Sequence, residues 1–180
     1  AAPPQASEKG NQDYLDVVYS TERRPVNQYP NKLARHILRR HLAPMELKKS
    51  ARILDVGCGR GDMMRAFAAE GFYVEGVDLS PKAPELCKPY KVSLADFGDD
   101  SLPCPENSFD MIFCKSVIEH LRDPKKLLVG IHAALKPGGV AVIMTPSWMH
   151  LAWGPFYIDP THVTPFTLPS LRDSLAMSGF

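Results

Sequence analysis

An alternation of patterns limits this chain more than any other feature. Between Ala51 and Thr145, five short apolar runs are separated by helix-patterned or turn-rich segments. The runs are "ARILDVG", "FYVEGVD", "YKVSLAD", "FDMIFC" and "VAVIMT", each of strand length. Between the first two, "DMMRAFAAEG" reads as a helix with Met63, Met64, Phe67 and Ala68 inward and Gly71 as its stop. "SPKAPELCK" offers Ser80 as a cap and Pro81 at the first helical position, and Pro84 keeps that helix short. Asp123 and Pro124 open a helix that buries Leu127, Leu128, Ile131 and Leu135 and ends at "KPGG". Strands that alternate with helices form a mostly parallel sheet covered on both faces, so the fold class is doubly wound α/β.

The flanking segments differ. "NKLARHILRRHL" sets Leu33, Ile37, Leu38 and Leu42 on one helical face, an amphipathic helix that packs on the domain. Residues 1–30 read as a disordered lead-in and an N-terminal cap, and residues 31–180 as a single domain. "PSWMHLAWGPFYIDPTHVTPFT" is a long aromatic, Pro-rich connection, the kind that in a compact domain usually serves function. "TLPSLRDSLAMSGF" reads as a helix capped by Thr167 and ended by Gly179. A strand is due next, so the chain is expected to be a fragment of a longer protein.

The formal net charge is +1, so no strong overall field draws the molecule to nucleic acid or membrane. Residues 1–50 hold nine basic and five acidic side chains, and no basic–aromatic alternation supports a nucleic-acid groove. The four cysteines, at 58, 87, 104 and 114, include no CxxC pair and read as reduced thiols of a cytoplasmic protein. No apolar stretch approaches a membrane span, and "AAPPQASEKG" lacks the apolar stretch of a signal peptide.

"LDVGCGRGD" carries the chemistry. A glycine-rich turn between a first strand and a helix lets a ligand approach bare backbone. A dinucleotide site needs G-x-G-x-x-G, but the third glycine falls at Asp62; the spacing is Gly57, Gly59, Gly61. Asp55 stands before the turn and Asp62 after it. A phosphate charge about 6 Å from a carboxylate meets roughly 3 kcal/mol of repulsion at an effective dielectric near 20. The acids therefore favour a cationic ligand. Asp62 can also be a plain early-helix acid, and Asp55 a brace for the loop. Asp78, ending the second run, can accept both hydroxyls of a ribose. Asp96, ending the third, can accept from an exocyclic amine while the Phe97 amide donates to a ring nitrogen, or it can be a simple turn cap.

In order, "ILDVGCGRG", "VDLS", "ADF", "FDMIFCKSVIEHL" and "LKPGG" resemble the motifs of class I, Rossmann-like S-adenosylmethionine-dependent methyltransferases, in particular the small-molecule branch with "EHL" after the fourth strand. The resemblance covers about Ala51 to Thr145, with a weaker echo in "DPTHVTPFT". It implies that Asp55, Gly57, Cys58 and Gly59 lie along the methionyl part of S-adenosyl-L-methionine and that Gly61 starts the helix. It implies that Asp78 holds the ribose, Leu79 packs on the adenine, Asp96 and Phe97 meet the adenine edge, and the Lys115 backbone nears the ligand's amino group. Cys58 can equally be a small buried residue. Tyr19, Arg23 or Arg24 are candidates for the ligand's carboxylate. The family's sheet has two more strands after the fifth, absent here, so a bare sheet edge is left that can pair with another chain. The expected strand order is 3-2-1-4-5.

For the acceptor, His120 is the candidate catalytic base, with a backbone-bonded structural role as its alternative. Glu119 reads as a solvated or helix-capping acid. Trp148, His150, Tyr157 and His162, with Trp153, Phe156 and Asp159, can form a lid over a small, partly apolar acceptor, or simply pack the loop on the sheet. No two histidines have a metal-ligand spacing on one helix, and no metal is expected. The expected activity is methyl transfer from S-adenosyl-L-methionine to a small molecule. A nicotinamide-dependent oxidoreductase and a non-catalytic S-adenosylmethionine-binding module remain the alternatives.

Overall fold

The computed structural model describes residues 14–15, 28–45, 47–99, 101–151 and 154–180. The readings placed on Tyr19, Arg23, Arg24 and Trp153, and most of the 1–30 lead-in, lie outside the described residues.

Helix α1 (Tyr29–His36) continues through a wider turn, Ile37–His41. Strand β1 (Arg52–Val56) leads through the glycine loop to α2 (Asp62–Ala69) and on to β2 (Tyr73–Asp78). A four-residue α3 (Ala83–Leu86) precedes β3 (Lys91–Leu94). Then come β4 (Phe109–Lys115), α4 (Lys125–Ala134) and β5 (Leu135–Met144). The aromatic connection holds a short α5 (Trp148–Leu151), and α6 (Leu168–Ala176) closes the described chain.

The sheet is wholly parallel, in the order β3-β2-β1-β4-β5. Its two faces divide by the strand period of two. On β1, Ile53 faces one side and Leu54 and Val56 the other; on β4, Met111 and Phe113 oppose Ile112 and Cys114. One face is covered by α1, α2 and α3 through Ala34, Ile37, Met64, Phe67 and Ala83. The other is covered by α4 through Leu127, Leu128 and Ile131, with Leu171 and Leu175 of α6 packed beside it. The Phe67 and Phe113 rings meet edge-on, 5.3 Å between centroids.

Local chemistry accounts for the ends of the elements. Thr167 caps α6 in a reciprocal box with Ser170, which satisfies amide groups the first helical turn leaves unpaired. Leu135, read from its spacing as helical, is instead the first residue of β5, with ψ at 139°. Pro137 explains the difference: it disfavours helical backbone at Lys136 and lacks an N–H, so α4 must stop early. The β4–β5 register then slips between Phe109 and Met111 to absorb "KPGG". Ser80 does not stand at the cap of α3; its hydroxyl accepts from the Lys82 amide at 3.2 Å, one turn ahead. No helix among the described residues is long and apolar enough to cross a membrane.

Candidate functional site

Open α/β sheets bind ligands beyond the carboxyl ends of their strands, where the order reverses. Here the reversal lies between β1 and β4, and the glycine loop leaves β1 at that place. The Gly57 and Cys58 amides both donate to Val77 O, at 2.8 and 3.2 Å, and Gly61 N donates to Cys58 O at 2.8 Å. Gly57 sits at φ +75°, and a Cβ there would come within 2.2 Å of Val117 Cγ2. Only glycine fits, because Val117 closes in from the segment after β4.

Asp78 is buried at the tip of β2 and ties the loop to it. Its Oδ2 accepts from Gly59 N at 2.7 Å and its Oδ1 from Ser80 N at 2.8 Å. The Tyr14 hydroxyl lies 2.9 and 3.0 Å from the two oxygens, an O–H donor on a carboxylate whose other partners are backbone amides. Asp55, on the neighbouring strand, is buried too. Burial first, and then the negative charge of Asp78, push its carboxyl up to about 8, while the Lys115 ammonium works in the opposite direction. Two buried acids therefore stand at the tips of adjacent strands. Asp62 is not a third free charge, since Arg60 Nε meets it at 2.7 Å and Arg65 lies 3.9 Å away.

A second cluster lies past the tip of β4. Glu119, expected to be solvated or to cap a helix, is completely buried. The turn Ile118–His120 folds under the aromatic connection, whose Val163 and Thr164 amides both donate to Glu119 O at 2.8 and 3.0 Å. Thr145 Oγ1 donates to Glu119 Oε2 at 2.9 Å, and Oε1 has no partner among the described residues. His120 Nδ1 pairs with Thr161 Oγ1 at 2.8 Å, and Thr161 Oγ1 in turn donates to Asp159 Oδ1. Although burial opposes it, the Thr161 hydrogen bonds hold Asp159 below the ordinary carboxylate range. The His120 and His162 rings are 4.8 Å apart. Cys114 connects the two clusters: burial raises its thiol pKa, and both Glu119 and Asp55 lie close enough to raise it further.

A family model for the methyltransferase domain matches residues 26–180. The chain belongs to the methyltransferase-domain family. A ubiquinone biosynthesis O-methyltransferase of Xylella fastidiosa is 35% identical over 105 residues, which cover 53% of this chain and 42% of that protein. The enzyme of that name from Actinobacillus pleuropneumoniae is 30% identical over 105 residues, 52% of this chain and 45% of its own. This chain thus spans less than half the length of these curated relatives. Among solved structures, a SAM-dependent methyltransferase from Archaeoglobus fulgidus aligns with a TM-score of 0.67 and 30% identity, over 83% of this chain and 69% of that one. Haemonchus contortus phosphoethanolamine N-methyltransferase 2, solved in complex with S-adenosyl-L-methionine, aligns with a TM-score of 0.64 and 25% identity, over 94% of this chain and 44% of that one.

In this methyltransferase domain the candidate residues fall into three groups. Asp55, Gly57, Gly59, Gly61, Asp78, Leu79 and Lys115 converge at the strand tips, with Asp96 and Phe97 just past β3, where Asp96 Oδ1 accepts from Gly98 N at 2.9 Å. Cys58 stands behind the loop. Its Sγ packs beside Gly76 and Met64 and hydrogen-bonds the Cys87 thiol, and both of its backbone polar groups serve the loop itself. In the aromatic connection, Trp148, Tyr157 and His162 gather around the buried Phe156, at ring separations of 5.5, 5.1 and 4.8 Å from it. His150 does not join them: it is exposed, and its Nδ1 pairs with Ser147 Oγ at 2.9 Å.

Tyr14, Thr145 and Thr161 were missed in the sequence. Each is tied to its partner across 26 to 64 positions, so no local spacing announces it. The one available signal was the weak "DPTHVTPFT" echo, which contains Thr161 and His162.

Proposed function

We propose that this chain binds S-adenosyl-L-methionine at the tips of β1 to β4 and supports methyl transfer to a small-molecule acceptor under the aromatic connection. The observation that carries the reading is the pairing of Asp55 and Asp78, two buried acids flanking a backbone loop that only glycine can make. A diphosphate would add like charge there; an ammonium and a sulfonium relieve it.

The residues then take these roles. Asp78 exchanges the Tyr14 hydroxyl for the ribose hydroxyls and keeps the Gly59 and Ser80 amides. Leu79 packs on the adenine, and Asp96 with the Phe97 amide meets its edge. The loop lets the methionyl part approach the backbone. The Lys115 ammonium, close enough to act on Asp55, pairs with the ligand's carboxylate, a role for which Tyr19, Arg23 and Arg24 are the sequence candidates.

A sulfonium methyl is already activated, so the protein's work is alignment and exclusion of water; alignment of this kind supplies about 7–11 kcal/mol. Phe156, Trp148 and Tyr157 wall off the acceptor side. His120, with Nδ1 tied to Thr161, offers Nε2 as the basic nitrogen. The ubiquinone-biosynthesis relatives make a hydroxyl oxygen the first acceptor atom to test. Among the described residues β5 is an outer strand of the sheet, where a second copy can pair.

The test is a transfer assay with methyl-labelled S-adenosylmethionine and a panel of phenols, catechols, amines and carboxylic acids. Label recovered on one acceptor class supports the reading. Tight cofactor binding with no transfer to any class would make the chain a binding module.

A further inference from the structure

We infer that Glu119, His120 and His162 form a binding site for one divalent transition-metal ion of the zinc type. Three observations converge. Each residue can bring one ligand atom to within 4.8 Å of the other two. Glu119 is fully buried, and its Oε1 has no partner among the described residues. A buried carboxylate oxygen left unpaired is costly, and a bound cation is a partner that removes the cost.

The third observation is the tautomer of each histidine. The His162 Nδ1–H donates to Phe156 O at 2.7 Å, and a carbonyl can only accept, so Nε2 carries the lone pair. Thr161 Oγ1 gives its proton to Asp159, so it accepts from the Nδ1–H of His120. His120 Nε2 is thereby also left with its lone pair. A carbonyl and a hydroxyl–carboxylate chain behind the two rings are the supports that metal-ligating histidines use to fix ring orientation and raise ligand basicity. Phe156 is itself fully buried, which holds the His162 support in place.

The donor set is two imidazole nitrogens and one carboxylate oxygen. It suits zinc and its first-row neighbours better than magnesium, which prefers an all-oxygen octahedron. Ligand atoms on one tetrahedral zinc lie about 3.3 Å apart, given bonds of about 2.0–2.1 Å. Closing the cluster from its present spacing of up to 4.8 Å takes side-chain and backbone shifts of about 1.5 Å shared among the three residues. Three protein ligands leave the ion an open position. With the ion bound, His120 Nε2 is a ligand and no longer a free base, but the site itself does not depend on the methyl-transfer reading.

No pair of histidines on one helix announced it, because the ligands come from two segments joined by the Glu119 carbonyl and the Val163 and Thr164 amides.

The test titrates the metal-stripped full chain with Co2+ and with Zn2+, reading the visible bands of Co2+ and the bound-metal stoichiometry. One ion per chain is expected, with four- or five-coordinate Co2+ bands. His120→Ala and His162→Ala are expected to lose the bands, and a His36→Ala/His41→Ala control, which alters another histidine pair, to keep them. Thr161→Ala touches no ligand atom and lies on the surface, so it tests the site without endangering the fold; affinity is expected to fall about 10- to 100-fold. Cooperative thermal unfolding, followed by circular dichroism, reports that each variant has folded. The inference is overturned if the wild-type chain takes up no ion at micromolar concentration, or if Thr161→Ala and the folded histidine variants bind as tightly as the parent.

Discussion

The backbone N–H of Gly59 donates to Asp78 Oδ2 across 2.7 Å, which makes the glycine loop and the tip of β2 one rigid unit. Ser80 N holds the other oxygen at 2.8 Å. Asp78→Asn must turn an NH2 toward one of these two donors. With a hydrogen bond to a charged group worth about 1.5–3 kcal/mol, stability should fall by about that much. Affinity for S-adenosylmethionine should fall at least about tenfold, since the ribose acceptor is lost with the loop's anchor. Thermal unfolding and calorimetric titration check both; an unchanged affinity would remove Asp78 from the site.

Asp55 sets a pH dependence. Its carboxyl is raised to about 8 by burial and then by Asp78, so below that pH the folded, ligand-free protein holds a proton that the unfolded chain, near 3.8, has lost. Folded stability should therefore decline as pH rises from about 4 to about 8 and level off above. A cationic ligand favours the ionised form, so binding releases a proton and affinity rises toward pH 8. Titration at pH 7 in buffers of different ionisation enthalpy should show the release, and Asp55→Asn should abolish the protein's share of it. The ligand's own amino group titrates equally with both proteins. Equal proton release by parent and variant would show that Asp55 keeps its charge state.

Gly57→Ala places a Cβ 2.2 Å from Val117 Cγ2 and holds alanine at φ +75°. The two penalties can be separated. Gly57→Ala alone should cost more than the roughly 1–3 kcal/mol of backbone strain. Adding Val117→Ala should relieve the clash and leave the strain, so the double variant unfolds at a higher temperature than strict additivity of the single changes allows. Additive losses would mean the two residues do not meet.

Tyr14→Phe removes the hydroxyl that lies on both oxygens of Asp78. If a ribose must displace it, the variant should bind S-adenosylmethionine more tightly, by about three- to tenfold for a hydrogen bond of ordinary net strength. Weaker binding would instead make Tyr14 a direct contact of the ligand.

The sheet and the glycine loop were legible because their signals are local. Short, strongly apolar runs such as "FDMIFC" mark strands covered on both sides, and the structure buries Met111 and Phe113 on one face and Ile112 and Cys114 on the other. Thr167 and Gly57 act through neighbours or backbone, and both were readable from type and position. Glu119 was not: an acid beside a histidine in "VIEHL" gives no local sign that residues 145, 163 and 164 will close over it. Leu135 was misplaced because a helical face and a strand can share one apolar residue, and only Pro137 decides where the helix stops.

The central claim is that the acid-flanked loop takes a positively charged adenosyl compound in preference to a dinucleotide. Competitive equilibrium dialysis with labelled S-adenosylmethionine addresses it most directly. The account predicts one ligand per chain, displaced by S-adenosylhomocysteine, indifferent to NAD+ and NADH, and lost in Asp78→Asn. Displacement by either nicotinamide dinucleotide, or saturation of the crevice by one of them while S-adenosylmethionine stays free, would contradict it.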